Sequence, residues 1–309
     1  MPHERIVMSD TSRFRGCLLG LAVGDAVGTT VEFQSRGSFP PVTDMVGGGP
    51  FDLRPGEWTD DTSMALCLGA SLLHVGGFDA TDQMNRYCNW WDNGYLSSDG
   101  ESFDIGNTVR EALTRYKKLG DPMSGSTDSR SAGNGSIMRL AAVPMFYSLN
   151  ADLAVWFSGE SSRTTHGAAE CIDSCRFLGS VLVRALNGAC KEEIVSKSDL
   201  QLVTSDAVKE IIAGSYRCKT EDAIRGSGYV ICSLEAALWC FWGTDSFEAA
   251  ILKAANLGDD ADTTAAICGQ LAGVYYGESG IPDRWLQQLK MADDIRDMSD
   301  RLRIAANAT

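Results

Sequence analysis

Arg13-Phe14-Arg15-Gly16-Cys17-Leu18-Leu19-Gly20-Leu21-Ala22-Val23-Gly24-Asp25-Ala26-Val27-Gly28-Thr29-Thr30-Val31 is apolar and carries a glycine at every fourth position from Gly16 to Gly28. Residues four apart share one face of a helix. A glycine inside a helix costs about 1 kcal/mol relative to alanine. A stripe of them therefore points to a second backbone packed too close for a Cβ. Gly269, Gly273 and Gly277 repeat the device near the other end of the chain. Helical periodicity continues over 62–75, 79–92, 106–119, 137–147, 150–158, 166–187, 205–213, 228–242, 245–256, 261–277 and 282–292. Gly76-Gly77, Gly188 and Gly243 serve as stops. Alternating strand patterns are nearly absent. The expectation is an all-α fold built as a single multi-helix domain over 13–295. A flexible N-terminus (1–12) and a C-terminal tail (296–309) would flank it.

Two segments interrupt the helical pattern. Residues 32–58 hold several prolines and glycines and read as an ordered loop. Residues 120–136 have almost no large apolar side chain. Long loops inside compact domains often carry function.

The chain has 309 residues, 44% of them hydrophobic, which is enough for a full core. Its formal net charge of −14 and pI of about 4.6 argue against nucleic acid or an anionic membrane as the main partner, because both reward Lys and Arg. Ten cysteines include no C-x-x-C pair and mostly lie among aliphatic residues, as expected for free thiols in a reducing cytoplasm. Three histidines are too few for a zinc finger. The N-terminus lacks a signal-peptide core, and Asp25 interrupts the apolar run before the ~20 residues that a bilayer requires. A soluble cytoplasmic protein is expected.

Two acidic clusters stand roughly two hundred residues apart, Thr59-Asp60-Asp61-Thr62 and Asp259-Asp260-Ala261-Asp262-Thr263, each before a helix. Asp or Thr at a helix start ordinarily caps free backbone N–H groups. One cap needs one or two such residues, not four or five. If the two helix starts meet, their carboxylates repel unless a cation lies among them. An all-oxygen donor set suits Mg²⁺ or Mn²⁺ rather than zinc.

Three shorter signals have competing readings. Asp260-Ala261-Asp262-Thr263-Thr264 fits the D-x-D-x-T start of haloacid-dehalogenase-like phosphatases. That motif should follow a strand near the N-terminus, whereas this one follows the helical Phe247–Leu257 stretch. Gly133-Asn134-Gly135-Ser136 before Ile137-Met138-Arg139 is either a plain turn or an anion cradle of backbone N–H groups. It is neither a Walker loop nor a dinucleotide fingerprint. His166, in Ser162-Arg163-Thr164-Thr165-His166, is a lone histidine whose role depends on what lies near it.

Taken in chain order, these pieces resemble the ADP-ribosylglycohydrolase family, which includes the dinitrogenase-reductase-activating glycohydrolases. The resemblance spans roughly residues 13–290. It is carried by Gly24-Asp25-Ala26-Val27-Gly28 with Glu32-Phe33, Trp58 to Thr62, Phe103 to Thr108, Gly133 to Arg139, Ser162 to His166, and Gly258 to Thr263. Asp259 stands where the family often has glycine. The resemblance implies an orthogonal all-α domain with two divalent cations, Mg²⁺ or Mn²⁺. Their ligands would be Thr59, Asp60, Asp61, Asp260, Asp262 and Thr263. It implies removal of ADP-ribose from modified protein side chains, arginine foremost, with serine-linked or small-molecule conjugates as the alternative. Gly133, Asn134, Gly135, Ser136 and Met138 with Ser162 and His166 would hold the diphosphate and ribose. Tyr229 would stack on the adenine. Glu32 and Asp104, the acids in the motifs that are not ligands, would move the proton, with acid and base unassigned between them. Asp259 would join them in an acidic rim favouring a cationic leaving group. The partner is then an ADP-ribosylated protein. A non-catalytic binder that blocks an ADP-ribosyltransferase is the rival from another class, and the Gly/Ser-rich 120–136 segment would suit it.

Overall fold

A computed structural model describes residues 10–195 and 201–307 of the chain. Its α-helices are α1 (Asp10–Gly28), α2 (Asp60–Val75), α3 (Ala80–Asn93), α4 (Asn107–Leu119), α5 (Ala142–Phe146), α6 (Ala151–Arg163), α7 (Ala169–Leu186), α8 (Lys191–Ile194), α9 (Asp206–Ile212), α10 (Val230–Trp242), α11 (Phe247–Ala255), α12 (Ala261–Tyr276), α13 (Asp283–Gln288) and α14 (Ala292–Ala306). Extended pairing among the described residues is limited to three isolated bridges. The fold is all-α, as the sequence pattern requires.

The two glycine stripes explain the centre of the molecule. α1 is buried from Gly16 to Gly28, and α12 from Ala261 to Tyr275. A Cβ at Gly16, Gly20, Gly24 or Gly28 would run into the carbonyls of Gly273, Gly269, Ala265 and Ala261 respectively. The helices are thus antiparallel and touch backbone to backbone. The second stripe consists of Gly269, Gly273 and two alanines. Gly277 closes α12 with φ 71°, and its backbone still packs against Gly16, where a Cβ would come within 2.7 Å of the Gly277 carbonyl carbon. The antiparallel register sets the C-terminal end of α1 beside the N-terminal end of α12. That places Asp25 and Glu32 next to Asp260 and Asp262.

Several sequence expectations need correction. The 137–147 helix shrinks to α5. Gln270 Nε2 donates to the carbonyls of Ile137 and Met138 (3.0 and 2.6 Å), and Pro144 has no N–H for the Leu140 carbonyl. The 282–292 helix divides into α13 and α14, with Met291 left-handed at φ 54° between them. Of the expected tail 296–309, the described residues up to 307 are not a tail. Up to Ala306 they belong to α14, which buries Ile295, Ser299, Leu302 and Ala306. Arg15 on α1 grips Asp300 through Nε and Nη2 at 3.0 and 2.7 Å. Of the expected N-terminal segment 1–12, residues 1–9 lie outside the described residues and 10–12 begin α1. Asp10–Val31 is in fact long and apolar enough to cross a membrane, but 89% of its apolar window is buried in the fold. All ten cysteines are free thiols, six of them buried.

Candidate active site

The two acidic clusters meet. Thr59 Oγ1 lies 3.3 Å from Asp262 Oδ2, and Thr263 Oγ1 donates to Asp61 Oδ2 at 3.2 Å. Each cluster's threonine therefore reaches the other cluster's aspartate. The capping reading fails on the same evidence. Thr59 and Asp260 occupy the N-cap positions of α2 and α12, yet neither side chain bonds the helix's backbone N–H groups. Asp79, Asn150, Ser205 and Ser246 do cap α3, α6, α9 and α11 in the ordinary way.

One residue of this centre was not singled out in the sequence. Asp25, fully buried in α1, accepts four hydrogen bonds. Its Oδ1 takes Thr59 N–H and Thr59 Oγ1 (2.9 and 3.0 Å). Its Oδ2 takes Thr62 N–H and Thr62 Oγ1 (3.0 and 2.7 Å). Asp25 thus does the capping of α2 that Thr59 forgoes, and it orients Thr59 toward Asp262. A carboxylate inside an apolar glycine stripe was the available signal.

The donor set fits a divalent cation. Carboxylate oxygens of Asp25, Asp61 and Asp262 lie within 4.8 Å of one another, and so do those of Glu32, Asp104 and Asp262. Asp60, Asp61, Asp262 and Glu32 are buried, and no described Lys or Arg forms an ion pair with any acid of the cluster. Asp262 Oδ1 and Glu32 Oε2 have no hydrogen-bond partner at all. Burial first, then mutual repulsion, raises the carboxyl pKa values of Asp60, Asp61 and Asp262 well above the usual range. Burial alone raises Asp25 to about 6, against its four hydrogen bonds. A hard cation would supply the missing charge and fill the idle oxygens.

The acids open into a cleft of about 380 Å³. Glu32, Asp60, Asp104, Asp260 and Thr263 form one wall. Glu32 and Asp104 are also raised, by burial first and then by the neighbouring acids. Phe33, Asp104 and Asp259 are left-handed at φ 62°, 59° and 56°. Strained non-glycine backbone of this kind gathers at functional sites. Phe33 N–H donates to Asp259 O and Asp259 N–H to Gln34 O, both at 2.7 Å, which locks the two segments together. Phe33 itself is 68% exposed and lines the cleft. Asp259 does not. It lines an adjoining depression with Ser35, Arg36 and Arg225. A larger groove, about 940 Å³, runs along α13 and α14 away from these acids.

Gly133, Asn134, Gly135, Met138 and His166 form a second part of the cleft lining. Gly133 pairs with Tyr229 in a bridge, and Asn134 N–H donates to Gly228 O at 3.1 Å. Asn134 Nδ2 donates to Asp260 Oδ2 (2.8 Å) and Ser233 Oγ (2.9 Å), joining this wall to the second acidic cluster. Tyr229 follows the cleft-lining Gly228 but does not itself line the cleft; it is 40% exposed, with its hydroxyl donating to Glu170 Oε1 at 2.9 Å. Ser136 and Ser162 are behind the wall rather than on it. Ser162 Oγ lies 2.9 Å from Ser136 Oγ and donates to the His166 carbonyl at 2.9 Å, and Cys175 Sγ lies 3.4 Å from Ser136 Oγ. Their hydroxyls brace the wall from inside. His166 is buried except at the cleft, and burial, then Arg139, push its pKa down to about 3.

An all-α fold that brings two Thr/Asp clusters to one cleft, together with a glycine-rich turn and a neutral histidine, defines a narrow class. Residues 7–309 match the family model described as ADP-ribosylglycohydrolase, and the chain belongs to that family. It is 47% identical over 288 residues to the ADP-ribosylarginine hydrolase Tri1 of Serratia proteamaculans, covering 93% of this chain and 78% of that protein. It is 35% identical to the ADP-ribosyl-[dinitrogen reductase] glycohydrolase of Rhodospirillum rubrum, covering 94% of this chain and 95% of that one. A solved structure described as an ADP-ribosylglycohydrolase-related protein complex superposes with a TM-score of 0.86 at 41% identity, over 96% of this chain and 99% of that one.

Proposed function

We propose that this chain is a hydrolase that removes ADP-ribose from modified arginine in a protein substrate, and that it needs divalent cations to do so. The observation that carries this is the buried, uncompensated acid cluster at the floor of a cleft, in a chain whose relatives at 46–47% identity bear the name ADP-ribosylarginine hydrolase. Thr59, Asp60, Asp61, Asp260, Asp262 and Thr263 would hold the cations, Mg²⁺ or Mn²⁺, with Asp25 orienting Thr59 from behind. Bound there, they would polarise the ribose hydroxyls and lower the pKa of water.

The chain's own residues account for the rest. Gly133, Gly135, Met138 and His166 form the wall against which the ADP-ribose would lie, with Tyr229 beside it. The bond to break joins the ribose anomeric carbon to a guanidino nitrogen. The electron pair leaves with the guanidino nitrogen, which takes a proton from whichever of Glu32 and Asp104 is held as the acid. Water supplies the oxygen and gives its proton to the other. Carboxylates on the acidic wall stabilise positive charge that develops on the ribose and on the cationic leaving group. A serine linkage, with a neutral leaving group, gains less from that wall. Free thiols throughout suit a reducing cytoplasm.

The test is release of ADP-ribose from arginine-, serine- and acid-linked substrates, with and without Mg²⁺ or Mn²⁺. Arginine-linked substrate should turn over, chelator should stop it, and Asp262→Ala should abolish it. Cleavage of serine-linked substrate alone, or full turnover in chelator, would refute the assignment.

A further inference from the structure

Behind the cleft wall lies a buried cation with no counter-ion. Arg139 follows the Gly133–Ser136 turn and is fully buried. No described carboxylate pairs with it. Its guanidinium lies over the Tyr87 ring, 4.5 Å from the centroid, and Nη1 meets Met64 Sδ at 3.6 Å. Its strong hydrogen bond is from Nη2 to Thr165 Oγ1, at 2.6 Å. Burying a charge without an opposite charge is costly, and packing against Tyr87 and Met64 would be met by an apolar side chain. The position needs a donor.

The protons can then be placed by elimination. A guanidinium only donates, so Thr165 Oγ1 accepts. Thr165 is itself fully buried, and its other hydrogen-bonding neighbour is His166 Nδ1 at 2.8 Å. If Nδ1 carried a hydrogen, the threonine hydroxyl proton would have no acceptor. With Thr165 Oγ1 donating to Nδ1, the Arg139 Nη2 and Thr165 hydroxyl protons both have acceptors, and the ring hydrogen is on Nε2. Among the described residues, nothing accepts from Nε2. That atom lies at the cleft wall against Gly133 and Gly135, where a Cβ would stand 3.4 and 3.2 Å from it.

We propose that Arg139 and Thr165 are positioning residues that hold His166 as the neutral Nε2–H tautomer, a fixed hydrogen-bond donor to the diphosphate of ADP-ribose. This rests on the reading of the cleft given above. The arrangement also answers an electrostatic difficulty. A diphosphate must enter a molecule of net charge −14, beside a carboxylate wall. The relay brings the influence of a cation to the wall without exposing the cation to the substrate's own acids.

The tautomer can be read directly by long-range ¹H–¹⁵N correlation on ¹⁵N-histidine-labelled, ligand-free protein. The chain has three histidines, so His166→Asn identifies the signal. A protonated Nε2 and bare Nδ1, unchanged from pH 5 to 8, is the expected result. Thr165→Val should release the tautomer and weaken ADP-ribose binding about ten- to a hundredfold, the worth of one hydrogen bond to a charged acceptor. Thr165→Ser should restore both. A proton on Nδ1 in the unsubstituted protein, or a Thr165→Val variant with tautomer and affinity intact, would overturn the relay. The tautomer is observed without ligand. A correct tautomer that Thr165→Val releases, in a protein indifferent to ADP-ribose, would therefore uphold the relay and refute only the reading of the cleft.

Discussion

Asp25 spends a buried carboxylate on four short hydrogen bonds to Thr59 and Thr62. Asp25→Asn turns one acceptor oxygen into a donor that faces two other donors. It should cost about 1–3 kcal/mol in urea unfolding. It should also weaken Mn²⁺ or Mg²⁺ binding about 10–100-fold, as losing an outer partner of a ligand does. Unchanged affinity in a calorimetric titration would confine Asp25 to folding. Asp104 offers a cleaner substitution, because asparagine tolerates its left-handed backbone. Asp104→Asn should slow hydrolysis of arginine-linked ADP-ribose by about 100-fold or more while changing the Kd for free ADP-ribose only severalfold. An unchanged rate would remove Asp104 from proton transfer. The meeting of the two acidic clusters was legible in the sequence because they hold more carboxylates than any cap can use. Asp25 was hidden by its place inside an apolar helix. The orientations of Ser136, Ser162 and Asp259 depend on which way a side chain turns from its loop, and no spacing records that.

At the scale of elements, the pairing of α1 with α12 places the acids. Gly24→Ala would drive a Cβ into the Ala265 carbonyl. That carbonyl and the Ala266 nitrogen beside it are backbone, so no rotamer can relieve the clash. The expected loss is at least the ~1–3 kcal/mol of overpacking. Metal affinity should fall with it, since Asp25 lies one residue further along the displaced helix. Gly77→Ala, whose Cβ would meet only the Tyr147 hydroxyl at 3.5 Å, is the matched control and should be near neutral. Equal urea midpoints for the two variants would contradict the close approach of α1 and α12. The stripes themselves were plain in the sequence, but their register was not, because an alanine completes a stripe as well as a glycine does. The α14 signal was also present. Ile295, Met298 and Leu302 keep helical spacing, but a run of charged residues between them reads as solvent-facing tail. The shortening at 137–141 depends on a glutamine from α12, a contact across more than a hundred residues.

For the whole molecule, the acid cluster couples stability to both pH and metal, and the sign can be worked out. Burial and mutual repulsion hold Asp60, Asp61 and Asp262 well above the ordinary carboxyl range, and Asp25 at about 6. An unfolded chain releases these protons near pH 3.9. In chelator, between about pH 4 and the raised values, the folded state binds more protons than the unfolded one, so stability falls as pH rises. The cluster's contribution is complete below about pH 4 and is lost through pH 6 and beyond. Cations compete with those same protons. Their binding therefore releases protons and strengthens with pH, and a ligand at a hundred times its Kd adds about 2.7 kcal/mol. Melting curves at pH 5.5 and 8.0, each with chelator and with saturating Mg²⁺ or Mn²⁺, should show the lower Tm at pH 8.0 in chelator. The gain in Tm on adding metal should also be larger at pH 8.0. Asp262→Ala should flatten most of that gain, since it removes a ligand from both acid groupings. A metal-induced shift of equal size at the two pH values, or none at either, would mean that these carboxylates do not form the binding site.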